Sequence, residues 1–338
     1  MAPRPSDPQR PWRVLVVGGT GHISGALVEA LASAGHEVSV FNRGTQSRPL
    51  PDGVRLLRGD RRDRAAFERT MREEAFDAAF DLICFDAEDA RSDLRAFAGV
   101  GHFFQTSTVC TLGGPLAELP ADEQTELRPL SEYGRAKVAA DDVFLEAHRE
   151  HGFPVTILKP ANIWGAGMPL IRQLGFDPHW TERLRAERPL LIAGDGRQRW
   201  SLCHVQDAVT AYLGLLGQQR ALGETYLLSS PDHLDWIEYH EQIAAVLGVS
   251  LRLIAAPAED LLREWPEVTE LLAEQSRFDQ CFDVSKLQAA LPAFEPRLTL
   301  RARALENIEW MDECARRAPA GDSLPDREDE VIRRLGLG

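Results

Sequence analysis

The chain has 338 residues, of which 44% are hydrophobic and 27% charged, a composition typical of a folded globular protein. Its longest apolar runs fall well short of the ~20 residues that a membrane-spanning helix needs, so we expect no membrane partner and a cytoplasmic location. The formal net charge of −14 disfavours nucleic acid as a partner, because binding to phosphates requires positive charge. The five cysteines include no Cys-x-x-Cys pair, and we predict neither a metal site nor a disulfide framework.

The first patterned segment has the order strand, glycine turn, helix. A continuous apolar run at 13–18 predicts a buried strand, and residues 22–34 have helical periodicity. Between them, Gly18 permits a tight turn, and Gly21 lets a phosphate approach the positive end of the helix. An ordinary turn is the alternative. The pattern predicts a dinucleotide site with contacts from Gly18, Thr20, Gly21, His22 and Ile23.

The second predicted strand, at 37–41, is followed by Asn42 and Arg43 rather than by an acidic residue. A carboxylate at this point accepts the 2′-hydroxyl of NAD, whereas an arginine accommodates the 2′-phosphate of NADP. Arg43 therefore favours NADP(H) as the cofactor, with NAD(H) as the alternative. A solvated loop arginine would also explain this residue.

Strand and helix patterns continue to alternate up to residue 159. Further strands are predicted at 54–58, 78–84, 102–107 and 154–159, and further helices at 63–74, 87–98 and 131–151. This alternation favours an α/β protein with a Rossmann-type, doubly wound parallel sheet. Ligands of such sheets bind at the carboxyl ends of the strands, so we expect the residues that follow the strands to converge on one edge.

Tyr133 and Lys137 lie four residues apart in the predicted helix 131–151, so their side chains share one face. A phenol titrates near pH ~10, and a nearby ammonium lowers its pKa by stabilising the phenolate. The pair is suited to moving a proton to or from a carbonyl or carbinol oxygen. An exposed helix pair is the alternative for a short motif of this kind.

The second half predicts a smaller C-terminal α/β lobe. Its predicted strands are 190–192, 200–205, 225–228 and 251–254, and its helices are 181–187, 207–216, 236–247, 258–274 and 300–315. We assign 12–165 to a dinucleotide-binding domain and 166–316 mainly to a substrate-binding lobe, interleaved with the first domain around 199–228. Residues 1–11 are predicted to be a flexible N-terminus and no secretory signal, and 317–338 a loosely held polar tail.

Together these segments resemble the extended short-chain dehydrogenase/reductases, specifically the NAD(P)-dependent epimerase/dehydratase group. The resemblance implies hydride transfer at a carbinol or ketone of a small-molecule substrate, either a sugar nucleotide or a natural-product intermediate. Besides the glycine turn and the Tyr-x-x-x-Lys motif, it is carried by Gly59-Asp60, by Lys159-Pro160-Ala161-Asn162-Ile163-Trp164-Gly165, by Cys203-His204-Val205-Gln206-Asp207-Ala208 and by Phe282-Asp283-Val284-Ser285-Lys286.

The resemblance also implies roles for individual residues. Thr108 falls at the catalytic position beside Tyr133 and Lys137, and a one-residue slip would select Ser107 instead. Further cofactor positions are Asp60, Arg61, Cys84, Thr106, Pro160 and Ile163. Substrate positions are Asp86, Thr108, Asn162 and Trp200. Helix capping is the alternative for Asp60 and Asp86, and turn formation for Asn162.

Two departures from the family pattern bear on the reaction. Val109 and Cys110 follow Thr108 where dehydratases of this family place Asp-Glu, which disfavours a 4,6-dehydratase. Trp200 stands where sugar-nucleotide epimerases often place an arginine. An epimerase and a simple NADPH-dependent ketoreductase stay open, as does a homodimer. A non-catalytic NAD(P)-binding or RNA-binding protein on the same fold is the alternative from another class, which the net charge and the Tyr/Lys pair disfavour.

Overall fold

The computed structural model describes residues 11–45, 48–175, 179–266, 271–292, 294–296, 299–317 and 325–337, so most of the predicted flexible N-terminus lies outside the described residues. The strands are β1 (Arg13–Val17), β2 (Glu37–Asn42), β3 (Arg55–Arg58), β4 (Ala78–Asp81), β5 (His102–Thr106), β6 (Val155–Pro160), β7 (Asn162–Trp164), β8 (Leu190–Ala193), β9 (Arg199–His204), β10 (Thr225–Leu228), β11 (His233–Asp235) and β12 (Leu253–Ala256). The helices are α1 (His22–Ser33), α2 (Arg64–Glu73), α3 (Ala87–Ala96), α4 (Glu132–His151), α5 (Trp180–Arg185), α6 (Val205–Leu215), α7 (Trp236–Leu247), α8 (Ala258–Glu264), α9 (Ser285–Ala290), α10 (Leu300–Arg317) and α11 (Pro325–Arg334).

Seven strands form one parallel sheet in the order β10-β6-β5-β4-β1-β2-β3. The chain changes direction across the sheet between β1 and β4, which is where the ligand crevice of a doubly wound sheet lies. The predicted Rossmann-type class and the first-half elements are confirmed. One strand is shorter than predicted: β4 ends at Asp81, whose Oδ1 accepts the N–H of Ile83 at 2.7 Å and turns the chain.

Helices cover both faces of the main sheet because successive apolar residues of β1 point to opposite sides. Val14 and Val16 belong to an apolar cluster with side chains of α1 and α6. Leu15 and Val17 belong to a second cluster with side chains of α3 and α4. All four are fully buried, and burial of each such side chain is worth roughly 1.5–3 kcal/mol.

The smaller lobe contains the three-stranded sheet β11-β9-β7 and the parallel pair β12-β8. Residues 225–228, predicted as a strand in the region that is interleaved with the first domain, form β10, which pairs with β6 at the edge of the main sheet. A short apolar run has the same sequence pattern in either sheet, so only its long-range strand pairing shows which sheet it joins. The division between 165 and 166 stays a prediction. None of the described helices is long and apolar enough to cross a membrane.

The prediction of a loosely held tail is wrong for residues 325–337. Glu328 of α11 lies 2.8 Å from Arg172 and 3.3 Å from Arg183, and all three side chains are buried. Val331 and Ile332 join an apolar cluster of the smaller lobe. The charges of this segment suggested exposure, but two buried arginines far away in the sequence neutralise Glu328.

Candidate active site

A cleft of about 950 Å³ opens at the carboxyl ends of the main-sheet strands. We call the part lined by residues after β2 and β3 the Arg43 end, and the part lined by Thr108, Tyr133 and the residues after β6 the Tyr133 end. The structure thus brings most of the predicted residues to one edge. The predicted site residues that line the cleft are Gly18, Thr20, Gly21, His22, Ile23, Asn42, Arg43, Asp60, Arg61, Asp86, Thr106, Thr108, Tyr133, Lys137, Pro160, Asn162 and Ile163.

Cys84 and Trp200 were also predicted to belong to the site, but neither lines the cleft. The side chain of Cys84 is fully buried. Its backbone carbonyl oxygen contributes to the site instead, by accepting a hydrogen bond from Nζ of Lys137. Trp200 is 1% exposed, and its ring centre lies 4.9 Å from that of Trp236 in the smaller lobe. It borders a separate cavity of about 490 Å³. The structure therefore does not bring Trp200 to Tyr133.

The glycine turn presents bare backbone at the start of α1. Gly18 and Gly19 have φ values of +107° and +74°, and a Cβ at Gly19 would lie 2.3 Å from Val40. The hydroxyl of Ser24 accepts the N–H of Gly21 at 2.9 Å, so a small residue closes the turn where a third glycine is usual. A glycine turn at the positive end of a 12-residue helix fits a diphosphate. The residues present therefore fit a dinucleotide.

The Arg43 end carries exposed and buried arginines. Arg43 and Arg62 are exposed at the cleft. Arg61, predicted to contact the adenine, is 6% exposed, and its guanidinium lies 2.8 Å from Asp81 and 3.0 Å from Asp93. Burial lowers the pKa of Arg61, but these carboxylates outweigh that effect and raise it. Arg61 therefore stiffens the cleft wall, and its charge is neutralised there rather than presented to a ligand.

The structure confirms the predicted helix that carries Tyr133 and Lys137. Ser131 caps α4 by accepting the N–H of Gly134 at 3.0 Å, which places both side chains in the first two turns. Lys137 is 1% exposed, and its Nζ donates to the carbonyl oxygens of Cys84 at 2.6 Å and Thr106 at 2.8 Å. This leaves Nζ 5.9 Å from the centre of the Tyr133 ring.

The electrostatics of this pair differ from the sequence-based expectation that Lys137 lowers the pKa of Tyr133. Burial raises the pKa of Tyr133 to about 12, helped by Cys110 and opposed by the Thr108 side chain. Tyr133 is 42% exposed, yet the surrounding walls of the cleft make burial the largest effect on its pKa. Burial also lowers the pKa of Lys137, whose ammonium is held by backbone carbonyls rather than by the phenol. The phenol therefore carries its proton at neutral pH.

Thr108 and Ser107 both line the cleft, but their hydroxyls have different partners. Oγ1 of Thr108 accepts the N–H of Cys110 at 3.2 Å, and the same hydroxyl hydrogen-bonds the phenol of Tyr133. Oγ of Ser107 donates to Oδ2 of buried Asp141 at 2.6 Å. This geometry favours Thr108 over Ser107 as the donor to a ligand, and the assignment stays a prediction.

Sequence reasoning missed an exposed aromatic ring at the Tyr133 end. Phe85 is 48% exposed, lines the cleft, and has its ring centre 5.1 Å from Nζ of Lys137. An apolar residue directly after the predicted strand 78–84, at the edge where ligands bind, was the available signal. The adjacent Asp86 caps α3 by accepting the N–H of Asp89 at 2.9 Å. Helix capping was the alternative to a substrate contact for this residue. The other lining residues missed at this end are Trp164, Met168 and Ile171.

Comparisons with known proteins agree with this geometry. The model of the NAD dependent epimerase/dehydratase family matches residues 14–228. The chain is 38% identical over 285 residues to 2′-dehydrokanamycin reductase from Streptomyces kanamyceticus, covering 84% of this chain and 80% of that protein. It is 26% identical over 241 residues to chloroplast stem-loop binding protein of 41 kDa b from Arabidopsis thaliana, covering 66% and 60%.

A solved structure shows the same fold. UDP-glucuronic acid 4-epimerase from Bacillus cereus, in complex with UDP-glucuronic acid and NAD, superimposes with a TM-score of 0.71. The alignment covers 89% of this chain and 99% of that chain at 16% identity. At that identity the likeness concerns the fold alone.

Proposed function

Because this chain belongs to the NAD-dependent epimerase/dehydratase family, we propose that it is an NADP(H)-dependent reductase that converts a ketone of a small natural product into a carbinol. Membership confirms the family expected from the motifs and makes the chain an NAD(P)-dependent oxidoreductase or epimerase. The choice of reductase and of NADP(H) is the proposal. The relative at 38% identity, by its name a 2′-dehydrokanamycin reductase, supports the choice of a reductase.

The buried surroundings of Tyr133 favour its protonated form, which supports the reductive direction of the proposed reaction. Burial raises the pKa of Tyr133 to about 12, so the phenol is an acid and not a base at neutral pH. Reduction of a ketone requires a proton at the carbonyl oxygen, whereas oxidation of a carbinol removes one. A group held in its protonated form suits the reductive direction.

Three side chains would act on the carbonyl oxygen and its surroundings. A bound dinucleotide supplies the hydride in this family. Tyr133 donates its proton to the carbonyl oxygen while the C=O double bond becomes a C–O single bond. Thr108 donates a hydrogen bond to the same oxygen as negative charge develops on it. Lys137 gives two of its three ammonium hydrogens to carbonyls, and the third can hold a ribose hydroxyl.

The preference for NADP(H) rests on the Arg43 end of the cleft. Arg43 is exposed at the end of β2, where a carboxylate would instead favour NAD. Exposed Arg62 also lines this end and adds positive charge next to it. Two arginines beside the ribose position suit a 2′-phosphate.

The two positions after Thr108, where dehydratases of this family are expected to carry Asp-Glu, hold Val109 and Cys110 in this chain. Val109 is buried and apolar, and burial raises the pKa of the Cys110 thiol. Neither side chain can assist the loss of water at neutral pH. This supports the reductase over a 4,6-dehydratase.

The test is to incubate the protein with NADPH and a panel of ring ketones that includes 2′-dehydrokanamycin. We expect one NADPH consumed for each carbinol formed, and loss of this reaction in Tyr133→Phe. An epimerase returns the hydride to its substrate, so inversion of a carbinol centre without net NADPH consumption would contradict the proposal. Product analysis by mass spectrometry and NMR distinguishes the two outcomes.

A further inference from the structure

Among the described lining residues, solvent-exposed positive charge lies at the Arg43 end of the cleft. His22 lines the cleft without adding charge, because burial lowers its pKa to about 4. Lys137 is the one lysine among the described lining residues, and two carbonyl oxygens enclose its ammonium. The phosphates of a dinucleotide match the Arg43 end. The arginines among the described lining residues all follow β2 or β3: Arg43, Arg61, Arg62 and Arg64.

A carboxylate, Asp86, directly follows the exposed ring of Phe85 in the chain. Phe85 and Tyr133 both flank the ammonium of Lys137, with ring centres 5.1 and 5.9 Å from Nζ. Asp86 is exposed and lines the cleft. Its Oδ1 accepts the N–H of Asp89, while Oδ2 makes no hydrogen bond within the described part of the chain. Oδ2 of Asp86 can therefore accept a hydrogen bond from a ligand.

A second negative group approaches from the smaller lobe. A single π-helical turn, Leu272–Ser276, reaches the segment after β5, where Nε2 of Gln275 donates to Sγ of Cys110 at 3.2 Å. Burial raises the pKa of Cys110, and the charge of Glu274 on this turn raises it further. Turns of this kind frequently occur at functional sites. Glu274 therefore adds negative charge beside Cys110, on the segment that carries Thr108.

We propose that the substrate ketone carries a protonated amino group, which binds the carboxylate of Asp86 while the Phe85 ring packs against the substrate ring. The inference rests on the proposed reductase function and adds the chemical class of the substrate. A nucleoside diphosphate would instead place its negative charges beside Asp86, and the lining arginines that reach this segment, Arg61 and Arg64, are already paired with Asp89 at 3.7 and 3.2 Å. The net charge of −14 also attracts cationic substrates.

The test compares ring ketones that differ only in the charged group. The probes are 3- and 4-aminocyclohexanone and their hydroxyl counterparts, reduced by the full chain saturated with NADPH. We expect kcat/KM to favour at least one amino ketone about ten- to a hundredfold, the worth of a hydrogen bond to a charged group. Asp86→Asn keeps the volume and the α3 cap but removes the charge, so the preference should fall towards equality.

Glu88→Gln is the matched control, because it removes one negative charge two residues further on, outside the cleft lining. It should keep the preference for the amino ketone. Equal kcat/KM values in the wild type, or a preference that survives Asp86→Asn, would overturn the inference.

Failure of the proposed function gives a different result: NADPH is consumed with neither the amino ketone nor its hydroxyl counterpart. Binding then decides the inference, by calorimetric titration of 4-aminocyclohexanol and cyclohexane-1,4-diol into the protein saturated with NADP⁺. Tighter binding of the amine that is lost in Asp86→Asn supports the inference, and equal binding rejects it.

Discussion

The hydroxyl of Ser107 donates a 2.6 Å hydrogen bond to Oδ2 of Asp141, a buried carboxylate on α4. The same carboxylate lies 3.3 Å from Nζ of Lys159, which donates to Oγ1 of Thr111 at 2.9 Å. This network ties the segment after β5 to α4 and β6. Ser107 therefore has a structural partner, whereas the hydroxyl of the neighbouring Thr108 lies at the cleft and hydrogen-bonds the phenol of Tyr133.

Thr108→Val should lower turnover about 10²–10³-fold with little change in melting temperature, because it removes one donor to the developing negative charge and keeps the volume. Ser107→Ala should reduce turnover less but cost about 1–3 kcal/mol of stability, because Asp141 loses a hydrogen-bond donor. Steady-state kinetics and thermal unfolding of both variants provide the measurement. A larger loss of turnover in Ser107→Ala would assign the catalytic hydroxyl to Ser107.

Tyr133→Phe should lower turnover about 10²–10⁴-fold, the usual worth of a positioned general acid. The change deletes only the hydroxyl, so NADPH affinity and melting temperature should match those of the wild type. Single-turnover kinetics, with NADPH titration as the control, measure both. Near wild-type turnover in this variant would remove Tyr133 from the mechanism.

The pH profile should show no loss of reductive turnover between about pH 6 and about pH 9. The pKa of Tyr133 is raised to about 12, so the phenol stays protonated throughout this range and begins to lose its proton only at higher pH. Turnover at saturating NADPH, measured in buffers of constant ionic strength, tests this. A fall in turnover with a midpoint near neutrality that disappears in Tyr133→Phe would show that the phenol ionises there instead.

Arg43→Ala should weaken NADPH binding about ten- to a hundredfold and leave NADH binding nearly unchanged, because only NADPH carries the 2′-phosphate. Calorimetric titration with both dinucleotides measures the change. Arg69→Ala provides the control, since Arg69 is exposed on α2 and does not line the cleft. A wild-type preference for NADH that survives Arg43→Ala would contradict the assignment.

Glu328→Gln should destabilise the protein by about 3–5 kcal/mol near neutral pH, because it leaves the buried Arg172 without its 2.8 Å partner charge. Burial alone would raise the pKa of Glu328, but Arg172 and Arg183 outweigh it and lower the pKa. The stabilisation is therefore present above the unfolded-state pKa and is lost as pH falls through the folded-state value.

Thermal unfolding at several pH values measures this effect, and the difference between Glu328→Gln and the wild type should shrink on acidification. Glu330→Gln is the control on the same helix, since its pairs with Arg327 and Arg334 lie at the surface. Equal melting temperatures for Glu328→Gln and the wild type would show that α11 does not stabilise the smaller lobe.

The sequence by itself determined the features that depend on local pattern. A buried strand, a glycine turn and a helix are encoded within about twenty residues, and so is the shared face of Tyr133 and Lys137. The alternation of these units also determined the doubly wound sheet, because connections between parallel strands follow few rules. The convergence of residues after the strands is a consequence of that topology.

Only the tertiary structure decided which groups surround each side chain. Arg61 meets Asp81 and Asp93 across gaps of 20 and 32 residues, and Arg172 meets Glu328 across 156, so neither pairing leaves a local signal. The pKa of Tyr133 likewise depends on walls contributed by distant segments, which is why the expected effect of Lys137 did not hold. Local periodicity is set by hydrogen bonds between near neighbours, whereas burial and charge environment are set by long-range packing, and the chemistry of this site depends on the latter.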